Sequence, residues 1–257
     1  MNFPPEVTEV QDRGPAAYIA EFIGTLFLVF FITAVVSLYV HLPTRALPVP
    51  FIDFTVIGLV HAFLLFALIQ TLAVISGAHF NPAVTVGMTV LRHIKPPDAL
   101  VYIVAQLAGG VAGALLTRLL LEDEGRAVHY GITAVSGRLN EAILPGMVVE
   151  GIGTFFLVWV IVGVAVNPRA TKEWAALAIG ATLGMLVMVL APLTGAGFNP
   201  ARSLGPAIVS GEFNGAGDFV LVYVVAPVIG GLLGAVAYHY LVIAPGQKGL
   251  GGVGPVG

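Results

Sequence analysis

Two asparagine–proline pairs and a small set of polar residues stand out in a chain that is otherwise almost uniformly apolar. They are Asn81-Pro82-Ala83, Asn199-Pro200-Ala201-Arg202, the acids Glu21 and Glu150, and His61. The two acids lie in apolar runs with no nucleophile or base beside them, which argues against acid–base chemistry. The sequence has no cysteine, so disulfides, thiol catalysis and thiolate-bound metals are excluded. What these residues can do is donate and accept hydrogen bonds and repel cations. Asparagine is a preferred N-cap, and proline suits the first turn of a helix because its missing N–H is not needed there. Each pair therefore reads as the start of a helix, with an amide at its positive end.

The elements that position them are set by hydropathy. The 257 residues are 58% hydrophobic and 10% charged, with net charge −3, and mean hydropathy is +0.97. Soluble domains carry about 25% charged residues, so the chain is expected to live in a bilayer. The small net charge argues against nucleic acid as a partner. Crossing a bilayer takes about 20 apolar helical residues. The segments 16–40, 54–75, 99–120, 143–166, 174–193 and 219–243 qualify. The stretches 82–91 and 200–209, one after each asparagine, are half that length and read as half-helices entering from opposite sides. No cleavable leader is expected before the first span.

The chain also repeats itself. Glu21-Phe22-Ile23-Gly24-Thr25 matches Glu150-Gly151-Ile152-Gly153-Thr154, and Gly77-Ala78-His79-Phe80-Asn81-Pro82-Ala83 matches Gly195-Ala196-Gly197-Phe198-Asn199-Pro200-Ala201. Gly109-Gly110 with Gly113 matches Gly230-Gly231 with Gly234. Each half holds three spans, so the second must enter the membrane inverted, which puts the functional centre at mid-membrane between the halves. The expected fold class is an all-α membrane protein: six transmembrane helices plus two re-entrant half-helices in an inverted repeat. Residues 1–15 form an N-terminal tail, 16–243 a single domain with halves at 16–121 and 143–243, and 244–257 a glycine- and proline-rich tail expected to be disordered.

Half-helices meeting tip to tip would place Asn81 and Asn199 side by side. Non-helical backbone at that depth is tolerated only where it is buried or lines a wet cavity, so the loops 76–80 and 194–198 must turn carbonyls to water. Two opposed N-termini, each of roughly +0.5 charge, oppose cations at mid-pore. Two amides donating to one water oxygen would interrupt a proton relay. Glu21 and Glu150 are expected to accept N–H bonds from these loops, and Leu28 and Leu157, two turns further along, to form pore walls or core.

The duplicated Asn-Pro-Ala motifs, the Ser76-Gly77-Ala78-His79 lead-in, Asn199-Pro200-Ala201-Arg202-Ser203 and the paired glutamates resemble the aquaporin, or major intrinsic protein, family over residues 16–243. The resemblance implies a passive channel that passes water and small neutral solutes and excludes protons and ions. It is not an enzyme, needs no cofactor or metal, and is expected to assemble as a homotetramer. It implies an outer selectivity filter of Arg202 with His61, Val187 and Ala196. It also implies pore-lining carbonyl loops at Gly77, Ala78, His79, Phe80, Gly195, Gly197 and Phe198. Histidine at 61 with valine at 187 is similar to the plant vacuolar subgroup, whose filters are less strict, whereas Ser203 and Ala207 are like those of water channels. A broader conduit for glycerol, ammonia or hydrogen peroxide is the alternative within channels; an ion channel and a structural junction protein are the rivals outside it. Arg92, Lys95, Arg169 and Lys172 fall in loops on the side of the termini, which suggests cytoplasmic termini in a plasma (cell inner) membrane.

Overall fold

The computed structural model describes residues 13–41 and 51–247. Most of the expected N-terminal tail, and residues 248–257 of the expected C-terminal tail, lie outside the described residues. The part of that tail within them, Ala244–Gln247, is a helical turn.

Among the described residues, six apolar helices are long enough to span a bilayer. The first half contributes α1 (Pro15–Tyr39), α2 (Phe54–Ser76), the short α3 (Pro82–Val90) and α4 (Pro96–Leu120). A connection holding the short α5 (Glu122–Ala127) leads to α6 (Ile143–Ile161), which is extended by a π turn at Val162–Val166. Then come α7 (Ala175–Thr194), the short α8 (Pro200–Ser210), and a final span. That span runs from α9 (Ala216–Val220) through a π turn into α10 (Ala226–Tyr238). The expected spans and the observed ones agree to within a few residues. The fold is the expected one: among the described residues it is helical apart from a two-residue antiparallel pair, Val40–His41 with Phe51–Ile52, and it has six spans and two half-length helices.

Helix α3 has nine residues and α8 eleven; at about 1.5 Å rise per residue the two together span about 30 Å, the depth of one bilayer core. Both start as their sequence dictates, with asparagine as N-cap and proline at the first position. The halves exchange these helices: α3 packs chiefly on α10 of the second half, and α8 on α4 of the first.

Glycines set how closely the spans approach. A Cβ at Gly109 or Gly113 would collide with the carbonyl oxygens of Phe22 and Leu26, seating α4 on α1. At the matched places, Gly230 and Gly234 seat α10 on the carbonyls of Gly151 and Phe155 of α6. With no hydrophobic force between helices in lipid, this backbone contact is a main source of cohesion. It lies within the subunit. Large apolar side chains such as Phe63, Val74 and Leu119 face outward, as a lipid-solvated surface requires.

Candidate functional site

Helices α2 and α7 both end on a left-handed glycine, Gly77 (φ 86) and Gly195 (φ 77), where any side chain would be strained. The loops beyond continue with left-handed Ala78 and Phe80 in one half, Ala196 and Phe198 in the other. Such backbone costs on the order of 1–3 kcal/mol per residue and persists only when its surroundings impose it.

Two buried glutamates impose it. Glu21 accepts Ser76 Oγ (2.6 Å) and the His79 N–H (3.0 Å) on Oε1, and the Phe80 N–H (2.7 Å) and Gln106 Nε2 (2.8 Å) on Oε2. Glu150 accepts Thr194 Oγ1 (2.6 Å) and the Gly197 N–H (2.9 Å) on Oε1, and the Phe198 N–H (2.6 Å) on Oε2. Both side chains are wholly buried. Tyrosines close the base of each loop, Tyr102 donating to the Ser76 carbonyl (2.8 Å) and Tyr223 to that of Thr194 (2.9 Å). The rings of Phe80 and Phe198 press against Gly24 and Gly153, where a Cβ would overlap them.

With the N–H groups drawn to one side, the carbonyls are left on the other. Among the described residues, no protein donor reaches the carbonyls of Gly77, Ala78 and His79 or those of Gly195, Ala196 and Gly197. Backbone acceptors left unpaired by protein need water or solute.

At the tips of α3 and α8 each asparagine both caps its own helix and reaches across. Asn81 Oδ1 accepts the Ala83 N–H (2.9 Å) while its Nδ2 donates to the Phe198 carbonyl (2.9 Å). Asn199 Oδ1 accepts the Ala201 N–H (3.0 Å) while its Nδ2 donates to the Phe80 carbonyl (2.8 Å). This reciprocal pair locks the two N-termini against each other. Among the described residues, the second N–H of each amide has no protein acceptor. Pro82, Ala83, Pro200 and Ala201 are buried behind the asparagines as the first turns of the half-helices.

Both asparagines line a cavity of about 630 Å³ between the halves. Its wall includes Leu28 and Leu157, His61, loop residues 77–80 and 196–198, and Arg202. Among the described residues, three fixed cations line it, Arg13, Lys172 and Arg202, and no carboxylate does. Arg202 lies one turn into α8, 4% exposed, its Nη1 donating to the Gly131 carbonyl (3.1 Å) and its Nε without a partner. The equivalent place on α3 is Val84, which also lines the cavity, so only one of the two half-helices carries a charge at this position. His61 Nδ1 lies 2.7 Å from the Ile57 carbonyl. A carbonyl can only accept, so Nδ1 holds the proton and the unpartnered Nε2 is a free acceptor. The structure brings His61, Ala196 and Arg202 together on the cavity wall. Val187 is buried in the same apolar cluster as Leu157, Leu183 and Ala196. Gly195, the cap of α7, is set against Thr133, so that a Cβ there would lie 3.0 Å from the Thr133 backbone.

Sequence reasoning missed Tyr102, Gln106, Arg13 and Gly131. Tyr102 was reachable: carrying the Gly109–Gly230 match seven residues upstream pairs it with Tyr223. The same match pairs Gln106 with Pro227, so the amide that joins Glu21 to Thr85 (2.9 Å) has no counterpart in the second half.

Six spans, an inverted repeat and a cavity at its centre lined by unpaired carbonyls, amides and cations define a multi-pass membrane channel. Residues 10–238 match the family model described as "Major intrinsic protein", and the chain belongs to that family. It is 40% identical over 221 residues to Nodulin-26 of Glycine max, covering 86% of this chain and 76% of that protein. It is 36% identical over 238 residues to Aquaporin AqpM of Methanothermobacter thermautotrophicus, covering 87% and 96%. The structure of the aquaglyceroporin from Plasmodium falciparum has the same fold, with TM-score 0.76 at 23% identity over 91% of this chain and 98% of that one.

Proposed function

We propose that the channel passes water as its main solute, excludes protons and ions, and performs no catalysis. The observation that supports this best is the reciprocal pair at the centre, Asn81 Nδ2 on the Phe198 carbonyl and Asn199 Nδ2 on that of Phe80. It presents two free amide N–H groups at the junction of two positive helix ends, so a water there accepts from both and turns its own protons outward. Waters above and below are then oriented oppositely, and no chain of donors runs through. Pore diameter, lining groups, an arginine and half-helix dipoles are the general determinants of aquaporin selectivity.

In this reading Gly77, Ala78, His79, Gly195, Ala196 and Gly197 supply a ladder of acceptors, Phe80 and Phe198 its ends at the asparagines, and Glu21 and Glu150 hold both loops. His61, Val187, Ala196 and Arg202 form the outer filter, with Val187 as apolar backing. The termini are cytoplasmic in a plasma (cell inner) membrane, a reading supported by the basic residues Arg13, His93 and Lys172 on the cavity wall, with Arg92, Lys95 and Arg169 in the loops on the same side. The subunits assemble as a homotetramer with a pore in each. A second reading, a broader conduit for glycerol, ammonia or hydrogen peroxide, is favoured by the small Ala196 and aliphatic Val187.

Stopped-flow light scattering on reconstituted protein, comparing water, glycerol and ammonia, separates the two. The expected result is water flux well above empty vesicles with glycerol flux near theirs; comparable acceleration of all three would favour the broader conduit. Replacing His61 by phenylalanine removes the free Nε2 acceptor and fills the filter, so any glycerol or ammonia flux above that of empty vesicles is expected to fall more than water flux. Equal loss of all three would place His61 outside the filter. Because the chain has no cysteine, water flux is expected to be insensitive to mercuric ion. Reversible inhibition would contradict that.

A further inference from the structure

The connection between α5 and α6 carries three successive left-handed residues, His129 (φ 50), Tyr130 (φ 54) and Gly131 (φ 70). Two of them are not glycine, so the surroundings must impose this backbone. Tyr130 is the anchor. Its side chain is 4% exposed and packs in one cluster with Val29 of α1, Ala114 of α4 and Val209 of α8. Gly125 of α5 lies against its ring so closely that any Cβ there would overlap it. Gly131 rests on α1, where a Cβ would lie 3.0 Å from the Val36 side chain. Thus seated, the Gly131 carbonyl accepts from Arg202 Nη1 at 3.1 Å. Among the described residues it is the guanidinium's sole protein acceptor. Val209 follows Arg202 by seven residues, two turns along the same face of α8. Tyr130 therefore grips the helix that bears the arginine, while its neighbour holds the side chain.

We infer that Tyr130, seated on Gly125, is a positioning residue for selectivity: it holds the Gly131 carbonyl on Arg202 and so fixes the width and polarity of the filter. This rests on the reading of Arg202 as a filter residue. Without the anchor, the left-handed turn relaxes, the carbonyl withdraws and the guanidinium is free to swing. Mere loss of packing would lower all fluxes alike. Loss of a positioned arginine changes the ratio between solutes.

The test is the glycerol-to-water permeability ratio of the full chain in liposomes, normalised to inserted protein. Tyr130→Ala is expected to raise the ratio on the order of tenfold, the usual worth of one discriminating contact, while Tyr130→Phe, which keeps the ring, stays near the parent. Gly131→Ala, strained at its positive φ and pressed on Val36, is expected to act like Tyr130→Ala and serves if that variant fails to insert. In an Arg202→Ala background, Tyr130→Ala is expected to add nothing further, because both act through one group. If Arg202→Ala raises the ratio but Tyr130→Ala and Gly131→Ala leave it unchanged, the inference fails and the filter stands. If Arg202→Ala itself leaves the ratio unchanged, the filter reading falls and takes this inference with it.

Discussion

Glu150→Ala is expected to lower water permeability per inserted molecule by more than about tenfold, or to prevent stable insertion. The carboxylate is wholly buried and accepts from Thr194 Oγ1 and the backbone N–H groups of Gly197 and Phe198. Alanine leaves all three donors in a dry interior. Each orphaned donor costs on the order of 1–3 kcal/mol, which together approaches the roughly 5–15 kcal/mol that separates a folded domain from its unfolded state. The cheapest escape is for the loop to turn its N–H groups toward water in the cavity, which withdraws the carbonyls of residues 195–197 from it. Glu150→Gln keeps the volume but replaces one acceptor oxygen with an NH₂ group facing a donor, so it is expected to be impaired as well. Glu21→Ala should behave alike, since Glu21 accepts four such donors. Stopped-flow flux normalised to inserted protein, with thermal unfolding in detergent, measures both effects. Parental flux at parental stability would refute the supporting role of these acids.

Gly205→Val is expected to abolish assembly of the central site altogether. Gly205 of α8 and Gly110 of α4 meet backbone to backbone: a Cβ on the first would overlap the Gly110 carbonyl, and one on Gly110 would overlap that of Ala201. Backbone cannot rotate away as a side chain can. Forcing even single methylenes into a packed core costs about 1–3 kcal/mol, and valine adds three carbons. The half-helix must shift, and with it Asn199 and Arg202. A sharp contrast is Gly217, near the start of the last span, where nothing lies within 4 Å of a Cβ. Gly217→Val is expected to match the parent in monodispersity by size-exclusion chromatography and in water flux, whereas Gly205→Val should show little of either. Equal behaviour of the two would mean that α8 does not need its close approach to α4.

The framework was readable because its signals are local or repeated. Asn-Pro at two matched places announces two helix starts, and the short apolar runs after them cannot cross a bilayer alone. The paired Glu21 and Glu150 could be assigned to the loops because an acid inside a span demands several donors, and the loops hold unpaired N–H groups. What escaped was non-local or carried by backbone. Gln106 reaches Glu21 across 85 residues, and Arg202 finds Gly131 across 71. A glycine carbonyl has no side chain to advertise it. The exchange of half-helices between the repeats, α3 on α10 and α8 on α4, follows from backbone fit at glycines, whose spacing points to close packing within the subunit but does not name the partner helix.

The most direct measurement is of water and proton permeability in the same proteoliposomes, one by light scattering and the other by an entrapped pH dye under an imposed gradient. Opposed half-helices with two free amides at their junction predict water flux far above that of empty vesicles and a proton leak no greater than theirs. Protons following water through the channel, or water moving no faster than through bare lipid, would contradict it.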